Sequence, residues 1–414
     1  MANVADISHN LKSSTDGQIF ISPLDSNGKV TAKYDSTTEV LSNVIQTRLT
    51  GESVQGNVET LESNELKAGR TGSKKKLGNE YSEGSLDIEF SPDSFDDLLA
   101  AAFRGKWKDW TSDEASAINP KGTDHVTCSD GELITRWKDD NFNNSEEFTA
   151  KTLLGSTGLI KEAEGSSYSV KELTIGTEGW QFDLLKKIGG VTGEDLYQRF
   201  ERNVVNSFSL DVAINSTVTG SFGLMGGNSP KRVDTDTIKG EDYYGKVDTD
   251  GKTTVFADDT MTAANFIDNL TTVKPTDTDQ FVSTIGNLWI NGQNITWGEN
   301  FSIELNNNIE RKNAICVKKA ISQKEGKLDI TGNYQSYVIK GKSEDVFNAA
   351  VDNTTNELMI LLQDKEKDPS NMYLFQIFKS SFDAPSSSTS DDYEDTLAWT
   401  SFDNKAIRIL KIAK

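Results

Sequence analysis

The sequence predicts an all-β protein, built as two tandem β-sandwich or open-barrel domains related by an internal duplication, with one short helix in each. Three observations predict it. Apolar residues alternate with polar ones through Phe208, Leu210, Val212 and Ile214, and again through Val218, Gly220, Phe222 and Leu224, the period of a strand with one buried face. Hydrophobic residues make up only 35% of the 414, while Gly, Ser, Thr, Asn and Asp abound, as expected of short strands joined by many turns. Part of the chain also occurs twice. Glu83-Gly84-Ser85-Leu86-Asp87-Ile88 returns as Glu325-Gly326-Lys327-Leu328-Asp329-Ile330, and Asp97 to Phe103 as Asp345 to Val351. Ser63-Asn64-Glu65-Leu66 lines up with Asn306-Asn307-Asn308-Ile309, so three blocks recur in one order at offsets of 242 to 248 residues. That period is far longer than the roughly 20 to 50 residues of a solenoid unit.

Element by element, residues 1 to 40 are polar and turn-rich apart from Ile19-Phe20-Ile21, and read as an extended arm or edge element. Leu86, Ile88 and Phe90 alternate as a strand. Ser91-Pro92-Asp93 then offers a cap and a first-turn proline, Phe95, Leu98, Leu99 and Ala102 share one helical face, and Gly105 closes the helix. The two alternating runs after Phe208 form a hairpin through Asn215-Ser216-Thr217. Gly226 to Gly251 is rich in Gly, Asp and Lys and marks a boundary. The expected division is residues 1–228 for a first domain with its N-terminal arm, 229–252 for a linker or insertion, and 253–414 for a second domain. Ala263 to Leu270 suggests a short helix, and Phe301-Ser302-Ile303-Glu304-Leu305 another strand. Sheets of this kind leave edge strands whose backbone groups need protection or another chain.

The net charge is −21, from 64 acidic and 43 basic residues. Such a surface repels a duplex carrying about one charge per 1.7 Å, which disfavours sequence-independent DNA binding. No apolar run approaches the roughly 20 residues of a membrane helix. Met1 to Asn10 lacks the layout of a signal peptide, so the chain is expected to be made and kept in the cytoplasm until something else moves it. Cys128 and Cys316 read as free buried thiols.

Catalytic signals are weak. His9 and His125 are the only histidines and both read as solvated. Val247-Asp248-Thr249-Asp250-Gly251 resembles part of a calcium loop but places Lys246 and Ala257 where carboxylates are required. Gly220 to Gly227 lacks the Lys-Ser or Lys-Thr of a phosphate loop. No enzyme, cofactor or metal site is expected. The unusual local feature is Lys67 to Gly78, a basic stretch in an acidic chain. It is a solvated hairpin tip or a loop docking on an acidic neighbour through Arg70, Lys74, Lys75 and Lys76. Trp107, Trp110 and Trp137 are core residues or interface anchors.

Ser91-Pro92-Asp93-Ser94-Phe95-Asp96-Asp97-Leu98-Leu99-Ala100-Ala101-Ala102-Phe103-Arg104-Gly105-Lys106-Trp107 resembles the major tail tube proteins of long-tailed, siphovirus-type bacteriophages. So do Asn206 to Val212, Val218 to Gly223, and Asn306-Asn307-Asn308 opening the second copy. The resemblance covers most of residues 40–226 and 285–414; residues 229–280 have no counterpart. It implies an open-barrel tube fold whose inner sheets join across subunits around a lumen. Two-domain members build pseudo-sixfold rings from three chains, stacked into a conduit for genome ejection. The implied partners are further copies of the chain and the tape measure, tail terminator and tail tip proteins. Double-stranded DNA would pass without specific binding, and no membrane is involved. Arg70, Lys74, Lys75 and Lys76 become candidates for ring-to-ring contact. The rivals are a carbohydrate-binding β-sandwich or virion surface decoration, and an acid-based glycosidase.

Overall fold

The computed structural model describes residues 17–62, 75–109, 128–129, 132–135, 148–149, 169–189, 195–240, 244, 256–258, 261–291, 293–365, 370–388, 393–402 and 407–413. Strands dominate, in large antiparallel sheets, with four short helices among the described residues. The protein is all-β.

In the first half the main elements are β1 (Gln18–Pro23), β2 (Gln55–Leu61), β3 (Lys76–Glu89), α1 (Asp96–Phe103), β4 (Ser169–Thr174), β5 (Phe182–Ile188), β6 (Leu196–Ala213) and β7 (Thr219–Gly226). After α2 (Thr235–Lys239) and α3 (Ala263–Asp268) come β8 (Gly286–Ile290), β9 (Gly298–Asn306), β10 (Asp329–Tyr337), α4 (Glu344–Val351), β11 (Asn356–Gln363), β12 (Asn371–Phe382), β13 (Glu394–Ser401) and β14 (Ile407–Ala413).

The hydrogen-bonded order β1-β5-β6-β7-β3-β2 in the first half is matched by β8-β11-β12-β13-β10-β9 in the second. Each helix α1 and α4 follows the strand β3 or β10. The long strand β6 serves several partners in turn, its first residues Leu196 and Tyr197 also pairing with Asp234 and Val233. Its residues 196–203 pair with β5, 204–211 with β7, and 207–213 also with β9 of the other half. That last ladder, Ser207↔Asn306 through Ala213↔Asn300, joins the halves into one eight-strand run, β2-β3-β7-β6-β9-β10-β13-β12.

Behind this run lies one core shared by both halves. Leu86, Ile88, Phe208, Leu210, Phe222, Ile303, Leu305, Tyr334 and Trp399 face it from the sheet; Leu98, Leu99 and Phe103 of α1 and Phe375, Ile377 and Ile409 complete it. Cross-strand aromatic pairs fix the register, Phe208 against Phe222 at 5.1 Å and Phe301 stacked on Trp399 at 6.0 Å. The halves are tied a second time where β14 pairs with β4 from Arg408↔Thr174 to Ala413↔Ser169. Here Lys411 bonds Asp93 and Asp96 at the start of α1, and Tyr373 donates to Asp96 at 2.6 Å. Buried Arg408 donates to Gln376 at 2.7 Å and to Glu172 at 3.2 Å. A smaller core unites residues 20–44 with 233–273: Phe20, Val30, Leu41, Leu185, Tyr197, Ile238, Tyr244, Phe256, Phe266 and Leu270.

Several sequence expectations are corrected. Ile19-Phe20-Ile21 is buried and sits in β1, which pairs with β5 on one side and with Ile45–Gln46 on the other, so it is an interior strand rather than an edge. The first helix begins at Asp96, with Phe95 at its N-cap and no side-chain cap, because Asp93 takes a left-handed φ of 60° and ends the preceding turn. It is closed by Arg104 at φ 52° rather than by Gly105. Gly105 is needed instead for proximity: a Cβ there would lie 2.2 Å from the Thr174 carbonyl oxygen. Cys316 is exposed, in a turn where its φ is 69°, and not buried. The Ala263 to Leu270 expectation is met by α3 and the 3₁₀ turn Asn269–Thr272.

Candidate functional site

The face of the eight-strand run turned away from the core is polar and carries the acidic character. Register places Asp87, Ser221, Ser209, Glu304, Thr331, Thr400 and Ser381 side by side across seven of the eight strands, with Gly51 of the short strand Gly51–Glu52 next to Asp87. A second row holds Glu89, Thr219, Asp211 and Ser302, and a third Ser85, Gly223, Ser207, Asn306 and Asp329. These positions alternate with Leu86, Ile88, Phe208, Leu210, Ile303 and Leu305 of the core, which is why the strand period delivers them to the opposite face. The three rows contain no lysine or arginine. Neutral donors hold two of the carboxylates, Ser221 donating to Asp87 at 2.7 Å and Asn300 to Asp211 at 3.0 Å, while Asp329 accepts from Asn308 at 2.8 Å and is ion-paired with Lys327 at 3.2 Å.

Both ends of the run are open. Among the described residues, β2 has a strand partner only in β3, and Phe382 and its continuation Ser386–Ser388 only in β13. The second edge occupies the place that residues 207–213 of β6 occupy in the first half, where β9 fills the outer side. An unfilled ladder of this kind is a template for another strand.

The basic connection lies between β2 and β3. Leu61 pairs with Lys76, so the connection leaves and re-enters the sheet at the same end. Lys75 forms an exposed ion pair with Glu62 at 2.7 Å, and Lys76 is exposed at the start of β3. Arg70 and Lys74 fall outside the described residues, as do His9, His125, Trp110, Trp137 and residues 246–251. Trp107 is a partly buried core residue, donating to the Asp96 carbonyl oxygen at 2.9 Å and meeting Tyr373 edge-on. A feature hidden from sequence reasoning is the hairpin Glu310–Lys312/Ser322–Lys324, which follows β9 and lies against β3 at the same end as the basic connection.

One set of electrostatically shifted groups lies where the halves meet. Burial raises the Tyr373 hydroxyl well above the ordinary tyrosine value, and neighbouring Asp96 adds to it. Burial pulls Lys411 down, yet Asp96 and Asp93 outweigh it and hold the ammonium above its usual range. Burial, then Asp96, raises Asp97. These groups brace α1 against β14; they do not converge on a cleft. Among the described residues no group of three or more His, Cys, Asp or Glu is placed to hold a metal ion.

No curated protein matches the sequence. Among solved structures, a chain from the sixfold-symmetrised cryo-EM baseplate of the anti-feeding prophage is similar, with 12% identity and a TM-score of 0.24. The match covers 33% of this chain and 95% of that one. Residues 14–400 match the profile of the phage tail tube proteins, a structural and not an enzymatic family. With the all-β architecture and that match over nearly its whole length, the chain belongs to the phage tail tube protein family and is a structural component of the virion tail.

Proposed function

We propose that this chain is the major subunit of a long-tailed phage's tail tube, polymerising as stacked rings of three around a bore through which the genome is ejected. The reading rests on one observation: the β6–β9 ladder joins two four-strand sets of the same order, and the run it creates ends in one vacant edge on each side. We take the halves, residues 1–228 and 253–414 with 229–252 between them, as duplicated domains. Each chain then supplies two of six equivalent sectors.

Repeating within the ring the step that pairs Ser209 with Glu304 sets Gln55 of a neighbouring copy opposite Ser386, because counting back from the starts of α1 and α4 matches Asp87 with Gln335, and so their partners Gly51 with Asn300, where the recurring blocks would match Asp87 with Asp329. Head-to-tail contacts of this type close into rings and satisfy the exposed ladders. The rows holding Asp87, Glu89, Asp211, Glu304 and Asp329 then line the bore. A duplex passing them meets charge mainly of its own sign: the rows themselves hold no cation, and Lys327, beside the third row, is paired with Asp329 at 3.2 Å. Subunits made in the host cytoplasm would add to one another and meet the tape measure, tail terminator and tail tip proteins. The loop with Arg70, Lys74, Lys75 and Lys76 remains a candidate for contact between rings.

The test is a chain carrying Gln55→Cys and Ser386→Cys, with Cys128 and Cys316 replaced by Ser, oxidised after assembly and examined by electron microscopy and denaturing electrophoresis. Stacked rings with covalent species that stop at three chains are expected. Monomers that never associate, or tubes without the cross-link, would overturn the reading.

A further inference from the structure

The tip of the hairpin formed by Glu310–Lys312 and Ser322–Lys324 exposes what a lone subunit would ordinarily cover. Ile315 is 94% exposed, Ile321 57% and Val317 43%; Leu61 and Leu77, flanking the neighbouring basic connection, are 56% and 62% exposed. Scattered surface apolar residues are ordinary, but five on two connections at one end of a sheet are not. The hairpin is also held in place. The Glu80 backbone N–H donates to the Lys318 carbonyl oxygen at 2.8 Å, and Arg311 donates to Glu83 at 2.8 Å with its guanidinium 4.1 Å above the Tyr81 ring. Lys319 pairs with Glu201 at 2.6 Å. Anchors on both arms leave the Ala314–Val317 turn as a preorganised knob.

The opposite end of the same sheet carries a socket. Where β6 ends and β9 begins, Val212, Ile214, Leu288, Ile295, Ile360 and Leu362 line an open groove of about 320 Å³, with Glu299 also lining it. Ile214 is 55% exposed there. The strand directions separate knob and socket: β9 runs from Gly298 at the groove to Asn306, beyond which the hairpin begins. One chain thus presents an apolar projection at one end and, at the other, a recess lined by these apolar side chains together with Asn215, Asn287, Asn294 and Asn300. The knob is flanked by the exposed Lys318, only 3.9 Å from Glu80, and the recess by Glu299.

We propose that the hairpin tip of one copy, led by Ile315 and Val317, seats in the Val212–Ile214–Leu288–Ile295 groove of a copy in the next ring. The inference rests on the stacked-ring reading above and adds its axial contact. The partner is a second copy because a knob and a socket at opposite ends of one chain make a heterologous contact that propagates along an axis. Opposite charges beside them set orientation.

Ile315→Asp tests the seat without touching the fold, since the side chain is almost wholly in solvent. It is expected to leave trimeric rings intact while raising the concentration needed for tubes by about tenfold or more, as loss of a buried interface anchor does. In parallel, Ile214→Cys in a Cys128→Ser background, treated with a short bismaleimide, is expected to link to native Cys316 and give a ladder running beyond three chains. Tubes formed normally by Ile315→Asp, or tubes of the cysteine variant that give no ladder, would overturn the docking and leave the tube reading standing. Unmutated protein that forms rings or monomers but never tubes would remove the stacking reading and this one with it.

Discussion

Lys411 shows how a single side chain holds two distant parts of the chain together. Its ammonium is buried beside Asp93 and Asp96, more than 300 residues away in sequence. Lys411→Met would leave those carboxylates facing each other without a cation. Breaking a fully buried pair costs about 3 to 5 kcal/mol, and the partial exposure of Asp93 and Asp96 reduces the expected loss to about 2 kcal/mol, measurable by urea unfolding. The sign of the pH dependence follows from the raised value of Lys411. Its contribution is complete below the unfolded lysine value of about 10.4 and disappears as pH rises through the higher native one. Stability above pH 10 should therefore fall more steeply in the unmutated protein than in the variant. The sequence placed Asp93 at a helix start; nothing in it named Lys411 as its partner.

Among the elements, strands were the more legible. Phe208 to Leu224 forms the expected hairpin with Phe208 opposite Phe222, because side-chain alternation is local and survives into the sheet. The start of α1 was not, since Ser91 and Asp93 look like caps but serve the preceding turn; Ser91 bonds Ser94 at 2.8 Å and Asp93 is left-handed. For α3 the signal and the structure agree: Thr262 accepts from the Asn265 N–H at 3.1 Å, and Phe266 and Ile267 reach the smaller core. Thr262→Ala should cost about 1 kcal/mol in thermal or denaturant unfolding. It should leave ring closure unaffected, because α3 belongs to the smaller core and not to the eight-strand run.

For the whole molecule, the distribution of charge matters more than its sum. The sequence fixes a net charge of −21, whereas the register collects Asp87, Asp211 and Glu304 on one face without a cation in their rows. Replacing all three by Lys should permit assembly, since these side chains point away from both core and edges. It should nevertheless make tubes retain double-stranded DNA, in a way that weakens as salt rises by counterion release. A sedimentation assay of tubes with duplex at increasing salt reads this directly. Variant tubes that release DNA as readily as unmutated ones would remove the acidic rows from the bore.

By itself the sequence determined the strand-dominated class, the approximate place of the hairpins, the order of the recurring blocks and the resemblance to tail tube proteins, because alternation, turn chemistry and block order are written over short stretches. Only the tertiary structure decided that β6 would take β9 as a neighbour, that the acids would share a face, and that ladders vacant among the described residues would be left at the two extremes. The first two depend on pairings between segments far apart in sequence, Ser207 with Asn306 and Asp87 with Ser221, and backbone hydrogen bonds carry no side-chain code that a single sequence displays.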